Sequence, residues 1–362
     1  MRKHYLDNIR WSVVLLVIMY HVFYIFNSVG VLGGVGGFAS VQYQDGLLYF
    51  IYPWFMALMY LIAGISAKYA LDKQSAKKFI KSRTVKLLVP STLGLFAFQW
   101  IVGYLNIPDG MLPNDIPRFV SYLIMAISGI GPLWFIQLLW VFSLLIVPIR
   151  KLDKNEKFYN LCGKSNTIFI LLFALLLWGG SQILNTPLIT VYRFGIYFTA
   201  FLLGYFVFSH DEVQNKVEKI HLSMLIISVV MGVAYSIYYF GLNYAEDGVL
   251  KSLFTNVYAW FMILAILGCG KAWFNKRNSF TDYMTKSSFG FYILHYLFTI
   301  APCKYLKTCT QLPVWSIYII ALLTAFICTP LCYELVKRIP ILRWLVLGIK
   351  KEKKTEKPNE TM

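Results

Sequence analysis

Two residues near the start of the chain have the types and spacing for acid–base chemistry beside a charged group. Arg10 and His21 lie in the otherwise apolar stretch IRWSVVLLVIMYHVFYIF, residues 9–26. An α-helix turns about 100° and rises about 1.5 Å per residue, so they share one face within about 20° and lie roughly 16 Å apart. A guanidinium binds phosphate or carboxylate, and an imidazole exchanges protons near neutral pH. The spacing therefore places a charged group at one end of a helix and an imidazole near its middle, on one face.

These residues also have plain structural interpretations, which periodicity alone leaves open. Asp7 falls within about 40° of the same stripe, and Asp7 with Arg10 fits an i,i+3 ion pair at a helix start. His21 can equally be a structural histidine bonded to a neighbouring helix. A polar group in hydrocarbon is costly, so under either interpretation this face points towards protein or a water-filled cavity.

The composition predicts a polytopic membrane protein. Of 362 residues, 58% are hydrophobic and only 14% charged, with a mean hydropathy of +0.60, whereas a soluble domain has about a quarter charged residues. Apolar runs recur along the chain at the roughly 20-residue length of a membrane-crossing helix. The first run is long for a signal peptide and no small-x-small cleavage site follows it. We therefore expect an all-α membrane protein.

Ten transmembrane spans are predicted. Their approximate bounds are 9–29, 46–67, 85–105, 130–149, 167–185, 194–209, 221–241, 253–273, 287–303 and 314–336. The segment 116–128 is too short to cross a bilayer and is expected to lie at the interface. The membrane-embedded domain is expected to cover 1–349, followed by a charged, disordered cytoplasmic tail over 350–362.

The basic residues set the orientation. All Lys and Arg except five lie in one alternate set of loops, and the exceptions are Arg118, Arg193, Lys251, Lys304 and Lys307. Because basic loops mark the cytoplasmic side, both termini are expected to be cytoplasmic, in agreement with an even number of spans. The net charge of +17 is thus explained by topology, and no nucleic-acid partner is predicted.

The six cysteines give no metal prediction, because they form no C-x-x-C pair and no metal-like Cys/His spacing. Cys328 and Cys332 are interpreted as packing residues. Cys303 and Cys309 flank a predicted outer loop, where a disulfide and two free thiols both remain open.

Several segments together resemble acyltransferase family 3, the integral-membrane acyltransferases that modify bacterial surface carbohydrates. That family typically begins Leu-Asp-x-x-Arg, with a histidine after ten intervening residues, and these positions are held here by Leu6, Asp7, Arg10 and His21. The other similar segments are SRTVKLLVP (82–90), GPLWFIQLLW (131–140), FLLGYFVF (201–208), SFGFYILHYLF (288–298) and YELVKRIPILRWL (333–345). The last is similar to the glucan biosynthesis protein C branch, a predicted glucan succinyltransferase group.

Two positions depart from the family pattern. Lys86 stands where the basic motif before the third span usually has a second Arg, which keeps the charge but loses the planar fork. Pro132 stands where a His often precedes the Leu-Trp-Phe signature. If that His helps to bind acceptor in relatives, the acceptor geometry here differs.

The resemblance implies an acyl-CoA-dependent O-acyltransferase. It would move an acyl group, expected to be acetyl or succinyl, from cytoplasmic acyl-CoA to a hydroxyl of an extracytoplasmic carbohydrate. The bacterial cytoplasmic membrane is the expected location. Acyl-CoA is a co-substrate, no tightly bound cofactor is expected, and the other partners are the lipid bilayer and a carbohydrate or other hydroxylated acceptor.

The resemblance also implies roles for the polar residues of the first and third spans. His21 would be the general base, and Arg10, Arg83 and Lys86 would hold the charged end of the donor. Arg83 and Lys86 are equally explained as positive-inside anchors. Direct transfer is the default route because no Ser or Cys nucleophile motif is evident, and an acyl-imidazole on His21 remains open.

Four further residues are given supporting roles. Asp7 pairs with Arg10. His295 is expected to orient either the acceptor or His21, and a packing role is equally open. Trp134 is expected to shape the pocket, and a direct contact with substrate is also open. Glu334 is most simply a local ion pair with Lys337 and Arg338 at the end of the tenth span. Arg193, outside this set, either meets an anionic acceptor or anchors its helix at the interface.

A multi-pass transporter is the alternative function, since buried His and Arg also serve substrate binding or proton coupling in carriers. Transporters often show internal repeats and paired broken helices, and the sequence shows neither by eye. A catalytically silent scaffold is a third possibility. The sequence leaves open the acyl group, the acceptor and the oligomeric state.

Overall fold

The computed structural model describes residues 3–31, 33–107, 116–185 and 192–349, and the described residues are almost entirely helical. The helices are α1 His4–Ile25, α2 Gly46–Ile51, α3 Phe55–Leu71, α4 Ala76–Arg83, α5 Val89–Gly94, α6 Trp100–Asn106, α7 Arg118–Ser128, α8 Trp134–Leu152, α9 Lys157–Gly163, α10 Thr167–Ser181, α11 Phe194–Phe206, α12 Asp211–Lys219, α13 His221–Tyr239, α14 Asp247–Leu250, α15 Leu253–Trp273, α16 Ser279–Cys309, α17 Val314–Arg338 and α18 Pro340–Leu347. The only β pairing among the described residues is an isolated bridge between Asn185 and Arg193. The all-α prediction is confirmed.

The helix that carries Arg10 and His21 lies inside the bundle. α1 packs against α15, α16 and α17, and its side chains join one hydrophobic core with those of α3 and α15. Helices α13 and α17 are far more exposed, as expected for helices that face lipid. The sequence pattern alone could not rank the helices in this way, since all are similarly apolar.

The number of spans differs from the prediction. Among the described residues, seven helices are long and apolar enough to cross a membrane, or eight if the bent pair Lys154–Gly163 and Thr167–Ser181 counts as one span. Thr167–Ser181 and Phe194–Phe206 are short, and at about 1.5 Å per residue neither alone reaches across about 30 Å of hydrocarbon. α16 is long enough, but its polar residues keep it outside that set. The predicted ten spans and the location of the termini are not confirmed.

The short helix α11 is held by a close crossing with α3. A Cβ on Gly64 would collide with the carbonyl of Phe201, and a Cβ on Gly204 would collide with the carbonyl of Leu61. The two backbones therefore touch through reciprocal glycines, an arrangement typical of membrane helices. This crossing fixes the position of α3, which contributes to the cavity described below.

The predicted third span, 85–105, lies within a longer continuous helical segment, Ala76–Asn106. Two π-helical turns interrupt it, Thr84–Leu88 and Leu95–Gln99. Such turns are rare in proteins, and those that occur are often found at functional sites. The first begins directly after Arg83 and contains Lys86.

Cys303 and Cys309 do not form the disulfide that the sequence left open. Cys303 is buried and Cys309 is exposed, and both are free thiols, so no disulfide joins them. The segment 116–128 forms the single short helix α7. The tail predicted over 350–362 lies outside the described residues.

Candidate active site

A cavity of about 710 Å³ opens at the end of the bundle where α1 begins. We call this end, marked by Lys3, Arg10, Arg83 and Lys86, the basic end. The volume falls within the roughly 300–1,000 Å³ of small-molecule sites. Five cations and three carboxylates line it, namely Lys3, Arg10, Lys73, Arg83, Lys86, Asp7, Asp72 and Asp211. The cavity is therefore suited to an anionic ligand.

Arg10 is fixed on two sides within this cavity. Its Nη1 donates to Asp7 Oδ1 at 2.9 Å, and its Nη2 donates to Ser66 Oγ at 2.9 Å. The predicted i,i+3 pair with Asp7 is thus present, and Ser66 of α3 holds the second guanidinium nitrogen. A guanidinium oriented by two partners presents its remaining N–H groups in a fixed direction.

Arg83 and Lys86 line the same cavity and differ from Arg10 in their partners. The guanidinium of Arg83 lies 5.1 Å from the ring centre of Phe79, and the Lys86 ammonium lies 5.2 Å from that of Phe289. No carboxylate in the described part of the chain forms an ion pair with either cation. Their charge is therefore available to a ligand, whereas the charges of Lys3 and Arg10 are offset by Asp211 and Asp7.

The two buried imidazoles are brought together although they are far apart in sequence. His295 Nε2 lies 3.2 Å from His21 Nδ1, and the ring centres are 5.0 Å apart. His295 is fully buried, while His21 is partly exposed. The prediction that His295 could orient His21 has a direct geometric basis, and its role in chemistry stays a prediction.

The hydrogen bonds favour one arrangement of protons on the neutral pair. His295 Nδ1 lies 2.8 Å from the Tyr292 carbonyl, and His21 Nδ1 lies 2.8 Å from the Val17 carbonyl. A carbonyl only accepts, so each Nδ1 carries the hydrogen. His295 Nε2 is then an acceptor that faces His21 Nδ1–H, and the lone pair of His21 stands on Nε2. This leaves His21 Nε2 as the basic atom of the pair.

The cavity does not reach the histidines. Its deep end is formed by Val14, Met59, Phe135 and Tyr292, and neither His21 nor His295 lines it. Val14 precedes His21 by seven residues in α1, or about 10 Å along the helix axis. The expected continuous path from the cations to His21 is therefore interrupted in this structure.

Three polar or aromatic residues singled out in the sequence lie elsewhere. Trp134 is buried and stacks on Tyr197, with ring centres 5.5 Å apart, and does not line the cavity. Glu334 accepts from Tyr283 and pairs with Lys337 at 3.4 Å, so it is the local ion pair of the simpler interpretation. Arg193 is buried within the protein, and its Nη2 donates to the Leu250 carbonyl.

Four site residues escaped the sequence prediction. Ser66 holds Arg10, Phe289 lies under Lys86, and Phe135 and Tyr292 close the deep end. Tyr292 could have been found from its i,i+3 spacing to His295, which puts both on one helix face. Ser66 and Phe289 carry no such signal, because their partners lie on other helices. In the described part of the chain, no group of three or more His, Cys, Asp and Glu is placed to hold a metal ion.

Comparison with known proteins identifies the family. A family model described as an acyltransferase domain matches residues 3–337, which include every residue of the cavity and the histidine pair. No curated protein and no solved structure matched the chain. The match covers far more than half of the chain and agrees with its apolar helices. The chain therefore belongs to the acyltransferase domain family and is a membrane acyltransferase.

Proposed function

We propose that the protein moves an acyl group from cytoplasmic acyl-CoA to a hydroxyl of a carbohydrate on the other side of a bacterial cytoplasmic membrane, with His21 as general base. Acetyl and succinyl are the expected acyl groups, so the reaction is an O-acylation such as O-acetylation. No tightly bound cofactor enters this proposal. That the chain belongs to the glucan biosynthesis protein C branch, a predicted glucan succinyltransferase group, is part of the same proposal.

One observation carries the proposal: Arg10, Arg83 and Lys86 all line the cavity at the N-terminal end of α1, the helix that bears His21. The CoA donor carries several phosphate charges, and neither Arg83 nor Lys86 forms an ion pair with a carboxylate among the described residues. Phosphate and cation form strong charge-assisted hydrogen bonds. The roughly 16 Å rise from Arg10 to His21 along α1 is comparable to the reach of an extended pantetheine arm.

The histidine pair supports a general-base step. His21 Nε2 takes the proton of the acceptor hydroxyl while that oxygen attacks the thioester carbonyl carbon. The new C–O bond forms, the C–S bond breaks, and the CoA thiolate receives the proton from His21. During the step His21 is an imidazolium, and its Nδ1–H remains donated to Val17 and faces the acceptor His295 Nε2.

An acylated His21 is the second route to the same product. The lone pair on Nε2 that serves as base is also the atom that would attack the thioester. In that route the acyl group first bonds to His21 Nε2 as CoA leaves, and the acceptor hydroxyl then displaces it. Mass spectrometry of acid-quenched protein distinguishes the routes, because only the second leaves an acyl group on the peptide that contains His21.

The test uses purified protein in nanodiscs, as wild type and as His21→Ala. We expect both to bind acetyl-CoA or succinyl-CoA in calorimetry, and only the wild type to release CoA when a cell-envelope carbohydrate extract is added. Loss of general-base catalysis typically lowers the rate about 10²–10⁴-fold. Product carbohydrate gains the mass of the acyl group.

Two outcomes would overturn the proposal. If folded wild-type protein binds neither acyl-CoA, the donor assignment is wrong and uptake assays in proteoliposomes become the next measurement. If His21→Ala turns over at the wild-type rate, His21 is not the base. Lys81→Gln is the matched control, because Lys81 is exposed on α4 and does not line the cavity.

A further inference from the structure

Two aromatic rings, those of Tyr292 and Phe135, lie at the deep end of the cavity, and the histidine pair lies beyond that end. Tyr292 and Phe135 both line the deep end of the cavity, and their ring centres lie 5.5 Å apart in an edge-on arrangement. Each is almost fully buried. Tyr292 lies one helical turn before His295 and its carbonyl accepts from His295 Nδ1–H. The rings thus stand between the ligand cavity and the base.

Both rings are anchored in this position. The Tyr292 hydroxyl donates to the carbonyl of Pro132, in the turn that leads into α8. The Phe135 ring packs against Tyr60, with centres 4.6 Å apart, and its backbone carbonyl accepts from the Tyr60 hydroxyl at 3.1 Å. The Tyr292 ring also packs against the His295 ring, with centres 5.9 Å apart. Tyr292 is therefore the ring of the two that adjoins the histidine pair.

The residues beyond the rings are not all fully buried. His21 is partly exposed without lining the cavity, and Tyr24 and Tyr52 are partly exposed as well. Tyr24 follows His21 by one turn of α1, away from the basic end, with ring centres 5.8 Å apart. His21 therefore has some accessible surface that does not belong to the cavity.

We infer that Tyr292 and Phe135 form a closed barrier between the basic cavity and His21, and that the Tyr292 ring must turn away before a ligand group can pass. A cavity that continued past His21 to the other end of the bundle would form a water path across the membrane, so a barrier along this path is needed. It also keeps a bound thioester away from water and base until the acceptor is present. The identity of the passing group rests on the proposed function, whereas the barrier itself does not.

Cysteine accessibility tests the barrier without any activity assay. Val14 lines the cavity, and Val17 lies one turn further along α1 and does not. Val14→Cys and Val17→Cys are each treated with a membrane-impermeant maleimide applied from the basic end in oriented membrane vesicles. Labelling is read by mass spectrometry on the peptide that contains the new cysteine, so the native cysteines do not interfere.

The barrier predicts a clear pattern. Val14→Cys reacts and Val17→Cys does not, while adding Tyr292→Ala makes Val17→Cys react severalfold faster. Tyr292→Phe keeps the ring and loses the bond to Pro132, so it gives a smaller increase. Phe289→Ala is the matched control, since it removes a ring from the same helix at the cavity mouth and should leave Val17→Cys protected.

Three results would overturn the inference. Labelling of Val17→Cys with Tyr292 intact would show that no barrier exists, and protection of Val14→Cys would show that the cavity is closed at the basic end. Continued protection of Val17→Cys in a folded Tyr292→Ala protein would show that the barrier lies elsewhere. Protection of Val14→Cys by acetyl-CoA tests the donor separately, and its absence alone would count only against the proposed function.

Discussion

His295 Nε2 lies 3.2 Å from His21 Nδ1, across the contact between α16 and α1. His295 also donates its Nδ1–H to the Tyr292 carbonyl at 2.8 Å. The backbone of α16 therefore sets which nitrogen of His295 is the acceptor, and His295 in turn faces the Nδ1–H of His21. We propose that this relay gives His295 a positioning role for the proposed base.

Replacing His295 tests that role. His295→Phe removes the acceptor while keeping a flat ring of similar size, and we expect kcat to fall about 10–100-fold with little change in acyl-CoA affinity. The reason is the loss of the second acceptor that the Nδ1–H of the transient imidazolium faces beside the Val17 carbonyl, since a hydrogen bond to a charged group is worth about 1.5–3 kcal/mol. Steady-state kinetics with separate donor binding resolves the two effects.

The conservative variant His295→Gln is expected to recover part of the rate, because its side-chain oxygen can accept from His21. Thr299→Val is the matched control, since Thr299 is buried on the same helix and donates only to the His295 backbone carbonyl. A purely structural role of His295 would lower the thermal stability and the rate equally in Phe and Gln variants. That pattern would contradict the positioning role.

Arg83 and Lys86 should govern donor affinity. Arg83→Gln and Lys86→Gln each remove a cation that lines the cavity without a carboxylate partner in the described part of the chain. We expect the Kd of acyl-CoA to rise about tenfold or more in each, since a hydrogen bond to a charged group is worth about 1.5–3 kcal/mol. Calorimetry at two salt concentrations measures this, and the salt dependence should weaken with each removed charge.

Lys81→Gln separates a specific site from a generally positive surface. Lys81 belongs to the same helix as Arg83 and is exposed outside the cavity. An equal loss of affinity in Lys81→Gln would mean that Arg83 and Lys86 are only positive-inside anchors. Arg83→Lys adds a test of geometry, because it keeps the charge and removes the planar fork.

The sequence predicted the parts of the site that depend on a single helix. Arg10 and His21 share α1, and the Asp7–Arg10 pair follows from i,i+3 spacing. The meeting of α1 with the segment that carries Arg83 and Lys86 was inferred from the family resemblance. Periodicity could not show it, because contacts between helices depend on packing that a single sequence does not encode locally.

The sequence predicted the all-α fold class, but it did not predict the bounds of several helices. Transmembrane spans were predicted at 167–185 and 194–209, but the helices there end at Ser181 and Phe206. Apolar length does not distinguish a crossing helix from a short one packed on neighbours, as α11 is on α3. The barrier of Tyr292 and Phe135 was missed for a related reason, since aromatic residues in apolar helices carry no signal of what they separate.

Ser66 is expected to act through Arg10. Ser66→Ala removes the acceptor of Arg10 Nη2 while the bond from Nη1 to Asp7 remains. A hydrogen bond of this kind contributes about 0.5–1.5 kcal/mol. We therefore expect the Kd for acyl-CoA to rise roughly two- to tenfold, with an unchanged melting temperature. Thr285→Val, which alters a hydroxyl elsewhere in the same cavity, should change the Kd less. An equal effect of both would contradict a specific role of Ser66.

Gly204 should be essential for the crossing of α11 and α3. A Cβ at this position would collide with the carbonyl of Leu61, a backbone atom that cannot move aside alone. Overpacking of this kind typically costs about 1–3 kcal/mol, so Gly204→Ala should lower the melting temperature in nanodiscs by several degrees. Gly179→Ala is the matched control, because no atom lies within 4 Å of a Cβ there and alanine favours a helix. Equal melting temperatures for both variants would show that the two helices do not cross at Gly204.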